Sequence, residues 1–322
     1  MGTAIGGTDL DGEARGTYSH QFGGVLHSAT RSDSGTMDAR TTLHSVEAIL
    51  GPPAHAGDDF LIYQGDCMEL MRRLDDRSIP LTVTSPPYNI GKEYESLQDI
   101  DDYIHWCEQW IHQVHRLTSD NGSFWLNLGY VSLAGRAKAI PIPYLLWNRL
   151  PFFLLQEIVW NYGAGVAARH SFSPRNEKFL WCVKDPDDYV FNLDSIRDPN
   201  VRYPNQKKNG KLKCNPLGKN PTDVWQIPKV TSGKDRSSKE RTAHPAQFPL
   251  AVVERIIKAC SQPRDVVLDP FVGSGSLIEA AIRTNRMAIG FELNPRYVDL
   301  AAKRIRAFLR KRKHETAQRA LF

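Results

Sequence analysis

Cysteine is scarce in this chain of 322 residues: Cys67, Cys107, Cys182, Cys214 and Cys260 are scattered, with no Cys-x-x-Cys pair and no regular spacing. That pattern excludes a disulfide framework and a structural zinc site, and it points to a reducing compartment. Long apolar runs are missing too. No stretch reaches the roughly 18 to 20 residues that cross a bilayer, and the N-terminus lacks a basic segment followed by an apolar core. The expectation is a soluble, cytoplasmic protein without a bound metal. No internal repeat is evident. The length suffices for one large α/β domain with an insertion, or for two modest domains, with a substantial buried core.

Charge is modest over the whole chain, at +5, but concentrated in one segment. Between residues 202 and 241, the basic side chains Arg202, Lys207, Lys208, Lys211, Lys213, Lys219, Lys229, Lys234, Arg236, Lys239 and Arg241 face only Asp223, Asp235 and Glu240. Eleven positive less three negative is +8, more than the net charge of the chain. Such a field suits a polyanion, because Lys and Arg displace counterions from phosphates without reading sequence. The alternative is a solvated loop.

Residues 1–55 are rich in Gly, Ser, Thr and Asp, with little apolar periodicity until Leu43, Val46, Ile49 and Leu50, and are read as a flexible arm, because most of the stretch cannot offset its ordering entropy by burial. From residue 60 the pattern alternates. Residues 60–63 and 81–84 read as strands around a short helix at 68–74, and 103–117 is apolar at helical spacing. Strands follow at 124–126 and 154–160. Residues 179–183 and 189–191 are expected to pair as a hairpin. Regularity is then lost through the Pro-, Asn- and Lys-rich stretch 192–242. It returns as helix 249–260, strand 266–268, helix 277–282, strand 288–291 and helix 297–309. Such βα alternation predicts an α/β fold with a doubly wound, mostly parallel sheet, in which ligands bind beyond the carboxyl ends of the strands.

Two strands end in loops suited to ligands. In Asp269-Pro270-Phe271-Val272-Gly273-Ser274-Gly275-Ser276, the glycines let backbone approach a ligand, and the following helix offers unpaired N–H groups. The loop lacks the Lys of a phosphate-gripping P-loop and the third Gly of a dinucleotide fingerprint, which disfavours nucleoside triphosphates and NAD. Glu292, at the end of the next strand, is placed to accept both hydroxyls of a ribose; otherwise it caps the Asn294-Pro295 turn. In Ser85-Pro86-Pro87-Tyr88, two prolines stiffen the turn and remove N–H donors while leaving carbonyls to accept. Rigid acceptors suit an exocyclic amine, and Tyr88 can stack on a planar base taken out of a duplex. The bland reading is a Pro-Pro turn with a packed Tyr.

These motifs, in this order, resemble the β group of DNA amino-methyltransferases of restriction-modification systems over about residues 60–309. In that branch the catalytic loop precedes the S-adenosylmethionine loop. Further segments are similar to the family's. Gly65-Asp66 resembles its acidic contact to the adenine end of the cofactor, and Asn176-Glu177-Lys178 with Lys184 resembles a motif near the target pocket. Asn220-Pro221-Thr222-Asp223-Val224-Trp225 and His244-Pro245-Ala246-Gln247-Phe248-Pro249 resemble segments that precede the cofactor loop. Each has a structural alternative: Asp66 as a helix cap, His244 as a turn residue, Trp225 as core.

The resemblance implies a permuted methyltransferase fold acting on double-stranded DNA with S-adenosyl-L-methionine. It implies a catalytic half at 56–191, a basic target-recognition insertion at 192–242 and a cofactor-binding half at 243–322. The implied catalytic residues are Ser85, Pro86, Pro87 and Tyr88. The implied cofactor residues are Asp66, His244, Phe248, Asp269, Phe271, Gly273, Gly275, Ser276 and Glu292. DNA contacts are expected from Lys207, Lys208, Lys211, Lys213, Lys219, Lys234 and Arg236. The reaction implied is direct displacement on a sulfonium methyl, governed by proximity and orientation. The carbon-5 cytosine enzymes use a Cys after Pro, and no cysteine here follows proline.

Ser85 at the head of the tetrapeptide and the His244–Pro249 motif look like the members that modify N4 of cytosine. The segment from Val159-Trp160-Asn161-Tyr162 to Asn176-Glu177 resembles some that act on N6 of adenine. N4-cytosine is the expectation, with N6-adenine and a catalytically idle nucleic-acid binder as alternatives.

Overall fold

Alternation along the strands divides the buried side chains between two cores, one on each face of a sheet. In the computed structural model, residues 39–319 are described apart from 94, 166, 231–235 and 237. The elements in chain order are α1 (Ala39–Leu50), β1 (His55–Gly57), β2 (Phe60–Gln64), α2 (Cys67–Arg73), β3 (Ile79–Thr84), α3 (Ile100–Leu117), β4 (Thr118–Leu128), β5 (Tyr130–Leu133), β6 (Ala137–Pro141), α4 (Pro143–Leu146), β7 (Phe153–Asn161), β8 (Asn176–Val183), β9 (Lys207–Lys208), β10 (Lys211–Leu212), β11 (Val224–Gln226), α5 (Leu250–Cys260), β12 (Val266–Asp269), α6 (Ser276–Arg283), β13 (Met287–Glu292) and α7 (Pro295–Arg319). Val266, Leu268, Met287, Ile289, Phe124 and Leu126 point into the core shared with α1, α2 and α3. Their neighbours Val267, Ala288 and Trp125 point into the core shared with α5, α6 and α7. This period-2 division is what a sheet covered by helices on both faces requires.

The main sheet has nine strands in the order β1-β2-β13-β12-β3-β4-β8-β7-β11. From β2 through β13, β12 and β3 to β4 every pairing is parallel. All five strands therefore end at one edge. β8 runs antiparallel between β4 and β7, so its first residues, Asn176 to Lys178, lie at that same edge. The mostly parallel α/β sheet expected from the sequence is present.

Three sequence expectations need correction. The last part of the supposed arm is α1, whose Leu43, Val46 and Leu50 are buried; their i, i+3, i+7 spacing makes one apolar stripe. Residues 189–191 do not pair with 179–183, because both edges of β8 are taken by β4 and β7. Val190 instead donates to the Asn121 carbonyl, and Tyr189 and Phe191 pack on Trp181. The stretch read as an insertion is only partly outside the core: β11 joins the sheet parallel to β7, and Trp225 and Ile227 are buried. Within it, β9 and β10 form a hairpin across Asn209 and Gly210, both at positive φ (52° and 76°), the combination a two-residue primed turn requires. No described helix is long and apolar enough to cross a membrane.

Candidate functional site

The shared edge of the parallel strands opens into a cleft of about 900 Å³, within the range of small-molecule sites. Ser85, Pro86, Pro87 and Tyr88 line it, and so do Asp66, His244, Phe248, Asp269, Phe271, Gly273, Ser276 and Glu292. Two loops more than 180 residues apart in the chain thus share one space, because β3 and β12 are neighbours in the sheet.

The join between them is a buried hydrogen bond. Thr84 Oγ1, the last side chain of β3, donates to Asp269 Oδ1 at 2.7 Å, and Phe271 N donates to the same oxygen at 3.1 Å. Burial pushes the Asp269 carboxyl up to about 7, against the opposing pull of these two donors.

On the side of the Pro-Pro turn, the Ser85 and Tyr88 hydroxyls lie 2.8 Å apart. Both reach Asn127 Oδ1, at 3.4 and 2.5 Å respectively. Asn127 Nδ2 donates to the Lys178 carbonyl at 3.0 Å, which fixes the orientation of the amide. The amide oxygen therefore draws the hydroxyl protons, leaving lone pairs of Ser85 Oγ as acceptors. The Pro87 carbonyl accepts from Tyr103 Oη at 2.8 Å. The turn leaves through Asn89, at φ 59°, whose side-chain amide clamps Gln98 N and O at 2.7 and 2.9 Å. Glu95 accepts from Asn89 N, Ile90 N and Lys92 N, so the loop after the tetrapeptide is pinned as well. The Tyr88 ring lies against Gly129, where a Cβ would come within 2.9 Å of it.

On the other side, Glu292 Oε2 accepts from Gly273 N and Oε1 from Asn294 N, each at 2.9 Å. Each carboxylate oxygen keeps a lone pair for a hydroxyl. Burial raises the Glu292 pKa while these N–H groups oppose the rise. Gly273 has φ 49°, and a Cβ there would meet the His244 ring at 2.9 Å. The His244 ring packs on Tyr297 at 4.4 Å, and burial lowers its pKa, favouring the neutral imidazole. Phe271 is held between Trp106 and Trp110 at 5.7 and 5.1 Å, and Phe248 lies on Phe179. Ser276 Oγ is committed internally, to Phe248 O, Ser274 Oγ and Arg304 Nη1. Asp66 serves as the N-cap of α2, with Oδ1 accepting from Met68 N and Glu69 N, and borders the cleft as well.

Gly275 is a correction: it does not border the cleft. At φ 75° it packs under α7, where a Cβ would come within 3.0 Å of Ala301, so its smallness serves helix packing. Of the basic residues expected to meet DNA, the described ones do not line the cleft. Lys207, Lys208, Lys211, Lys213, Lys219 and Arg236 are exposed, and Lys219 pairs with Asp198 at 3.3 Å. Lys234 falls outside the described residues.

Sequence reasoning passed over Asn127 and singled out Lys229 only as part of the basic run. Asn127 is a fully buried amide in an otherwise apolar strand end, which is the signal that marks it. Lys229 borders the cleft, sits 3.6 Å above the Tyr162 ring and pairs with Glu177 at 3.4 Å. Among the described residues no cluster of three or more metal-ligating side chains occurs.

The family model for DNA methylases of the N6/N4 type matches residues 79–303. The type II methyltransferase M.ScaI of Streptomyces caespitosus is 61% identical over 267 residues, covering 83% of this chain and 88% of that protein. DNA adenine methyltransferase YhdJ of Escherichia coli K12 is 32% identical over 253 residues, covering 76% of this chain and 82% of that protein. Among solved structures, PvuII DNA methyltransferase (cytosine-N4-specific) superposes with a TM-score of 0.64 at 23% identity, covering 79% of this chain and 89% of that one. TTHA0409 of Thermus thermophilus, complexed with S-adenosyl-L-methionine, gives 0.53 at 26% identity, covering 76% and 91%.

Proposed function

The chain belongs to the N6/N4 family of DNA methyltransferases, which use S-adenosylmethionine, and on that premise we propose that it methylates N4 of cytosine at a specific site in duplex DNA. Protection of host DNA from a cognate restriction endonuclease is the role this implies. The observation that carries the base assignment is the identity of Ser85 at the head of the tetrapeptide, the residue type that resembles the N4-cytosine members; Asn127 holds its hydroxyl as an acceptor for either base.

An exocyclic amino group is a poor nucleophile while its lone pair is delocalised into the ring. Ser85 Oγ and the Pro86 carbonyl accept its two hydrogens and favour a tetrahedral nitrogen. Reaching that turn requires the base to leave the helix, and the Tyr88 ring offers it a stacking surface. Glu292, Gly273, Phe271, His244 and Asp66 are the residues that would hold the cofactor, which supplies an electrophilic methyl on a sulfonium. Their chemistry fits: a strand-end carboxylate for ribose hydroxyls, backbone N–H groups and aromatic walls. Direct transfer would form the N–C bond as the S–C bond breaks, the sulfur leaving as a neutral thioether, and would need no covalent intermediate on the protein. The proton of the resulting strongly acidic cation can pass to water, so catalysis needs orientation more than a strong base.

N6 of adenine is the second reading, favoured by the similarity to the adenine enzyme YhdJ and permitted by the same acceptors. Methylation of a mixed-sequence plasmid, digestion to nucleosides and mass spectrometry separate the two. N4-methylcytosine is expected; N6-methyladenine overturns the base, and no modified nucleoside overturns the function.

A further inference from the structure

The loop between β7 and β8, residues 162–175, rises from the wall of the cleft, since Trp160 and Glu177 at its two roots both border it. It is built rather than slack. Tyr162 N donates to Arg175 O at 3.0 Å to close the base, and Ala168 N donates to Ser173 Oγ at 2.9 Å to close the tip. The tip carries Arg169, His170, Ser171 and Phe172, and Phe172 is fully exposed, at 101%. A large apolar side chain held out at the end of a closed loop forgoes the burial that stabilises such residues elsewhere. From 161 to 176 the chain has Arg169, His170 and Arg175 and no Asp or Glu. At the loop's root, the Lys229 ammonium lies 3.6 Å over the Tyr162 ring and is paired with Glu177, so the unbalanced positive charge is that of the tip. An apolar point with basic flanks, beside the cleft that receives a base, matches the chemistry of a stacked, phosphate-edged duplex.

We propose that Phe172 is a wedge that enters the DNA stack at the gap left by the target base, with Arg169 facing the adjoining phosphates. This deepens the base-flipping reading above and rests on it. Apolar wedges unstack base steps in other protein–DNA complexes, and the expense of unpairing is least for a base already lacking a partner. The wedge therefore acts before chemistry: it fills the vacated space and slows return of the base.

The test uses the full chain and a duplex carrying its mapped site, either fully paired or with an abasic position opposite the target base. Phe172→Ala is expected to lower kcat/KM on the paired duplex at least about tenfold, with the deficit shrinking to about threefold or less on the pre-opened one. Phe172→Leu, still apolar, is expected to retain more activity than Phe172→Ala on the paired duplex. Thermal melting should not move, because the side chain is fully exposed. Full activity of Phe172→Ala on the paired duplex overturns the proposal, and so does an equal deficit on both substrates. Wild-type protein that methylates neither duplex refutes the functional reading itself, a result distinct from a defect confined to the variant.

Discussion

Replacing Asp269 with Asn isolates the energetic consequence of burying a carboxyl between the two loops. Asp269 is fully buried and its pKa rises from an ordinary 3.8 to about 7. The sign follows from proton binding. Between these two values the folded protein holds a proton that the unfolded chain releases, so stability contributed by the neutral carboxyl is full below about 4 and is lost as pH climbs to 7. Roughly three pH units at about 1.4 kcal/mol each gives about 4 kcal/mol as the size of the effect. Asn is neutral throughout and its Oδ1 can still accept from Thr84 Oγ1 and Phe271 N, the two donors present now. Urea unfolding of both proteins from pH 4 to pH 8 reads the difference. Asp269→Asn should match the wild type near pH 4 and become progressively more stable relative to it, levelling off above pH 7. Parallel stability curves across that range would refute the buried-carboxyl argument.

Ser85→Ala should reduce methyl transfer about 100-fold while changing cofactor affinity little; equal loss of both in single-turnover and binding measurements would remove the acceptor role. Asn127→Ala should release the Ser85 and Tyr88 hydroxyls and lower kcat with little change in cofactor Kd, so a change confined to Kd would place Asn127 outside the catalytic turn. Glu292→Ala deletes the acceptor of the Gly273 N–H and should weaken S-adenosylmethionine binding roughly 10- to 100-fold by titration calorimetry; an unchanged Kd takes it out of the site. Neutralising Lys207, Lys208, Lys211 and Lys213 to Gln should flatten the log–log salt dependence of DNA binding by about three to four, whereas an unaltered slope means they do not meet phosphate.

What the sequence made legible was whatever depends on local pattern. The short apolar runs at 266–268 and 288–291 gave β12 and β13 to within a residue at either end. Ser85 to Tyr88 and Asp269 to Gly273 were found because unusual residues cluster there. Asn127 escaped notice because its significance lies in partners at Ser85, Tyr88 and Lys178, none near it in sequence. Gly275 was grouped with Gly273 by spacing alone, and only the packing of α7 distinguishes the two. The Asn209-Gly210 turn was readable in principle, but its lysine flanks gave no apolar alternation to frame it. The apolar spacing of Leu43, Val46, Ile49 and Leu50 is legible, but so short a pattern at the end of a long polar stretch does not by itself separate α1 from the arm.

The permuted order of the motifs has little bearing on the site, and the sheet explains why. The loops after β3 and β12 meet because β3 pairs in parallel with β12, Leu81 against Val267 and Thr82 against Leu268. Just past the last pair, Thr84 bonds Asp269, two residues beyond Thr82 on one strand and one beyond Leu268 on the other. A parallel pairing fixes where strands end, whatever the chain does between them, provided a crossover of sufficient length is available. Here that crossover is long enough to contain four further strands of the sheet, β4, β7, β8 and β11, and the basic hairpin of β9 and β10. The hairpin hangs from a segment whose Asn192 is bonded to Ala259, Lys258 and Ser261 at the end of α5. Its sequence can therefore change without disturbing the β3–β12 contact. The basic hairpin and the cleft are structurally separable in this chain, because the hydrogen bonds that join the cleft's loops involve none of the residues of β9 or β10.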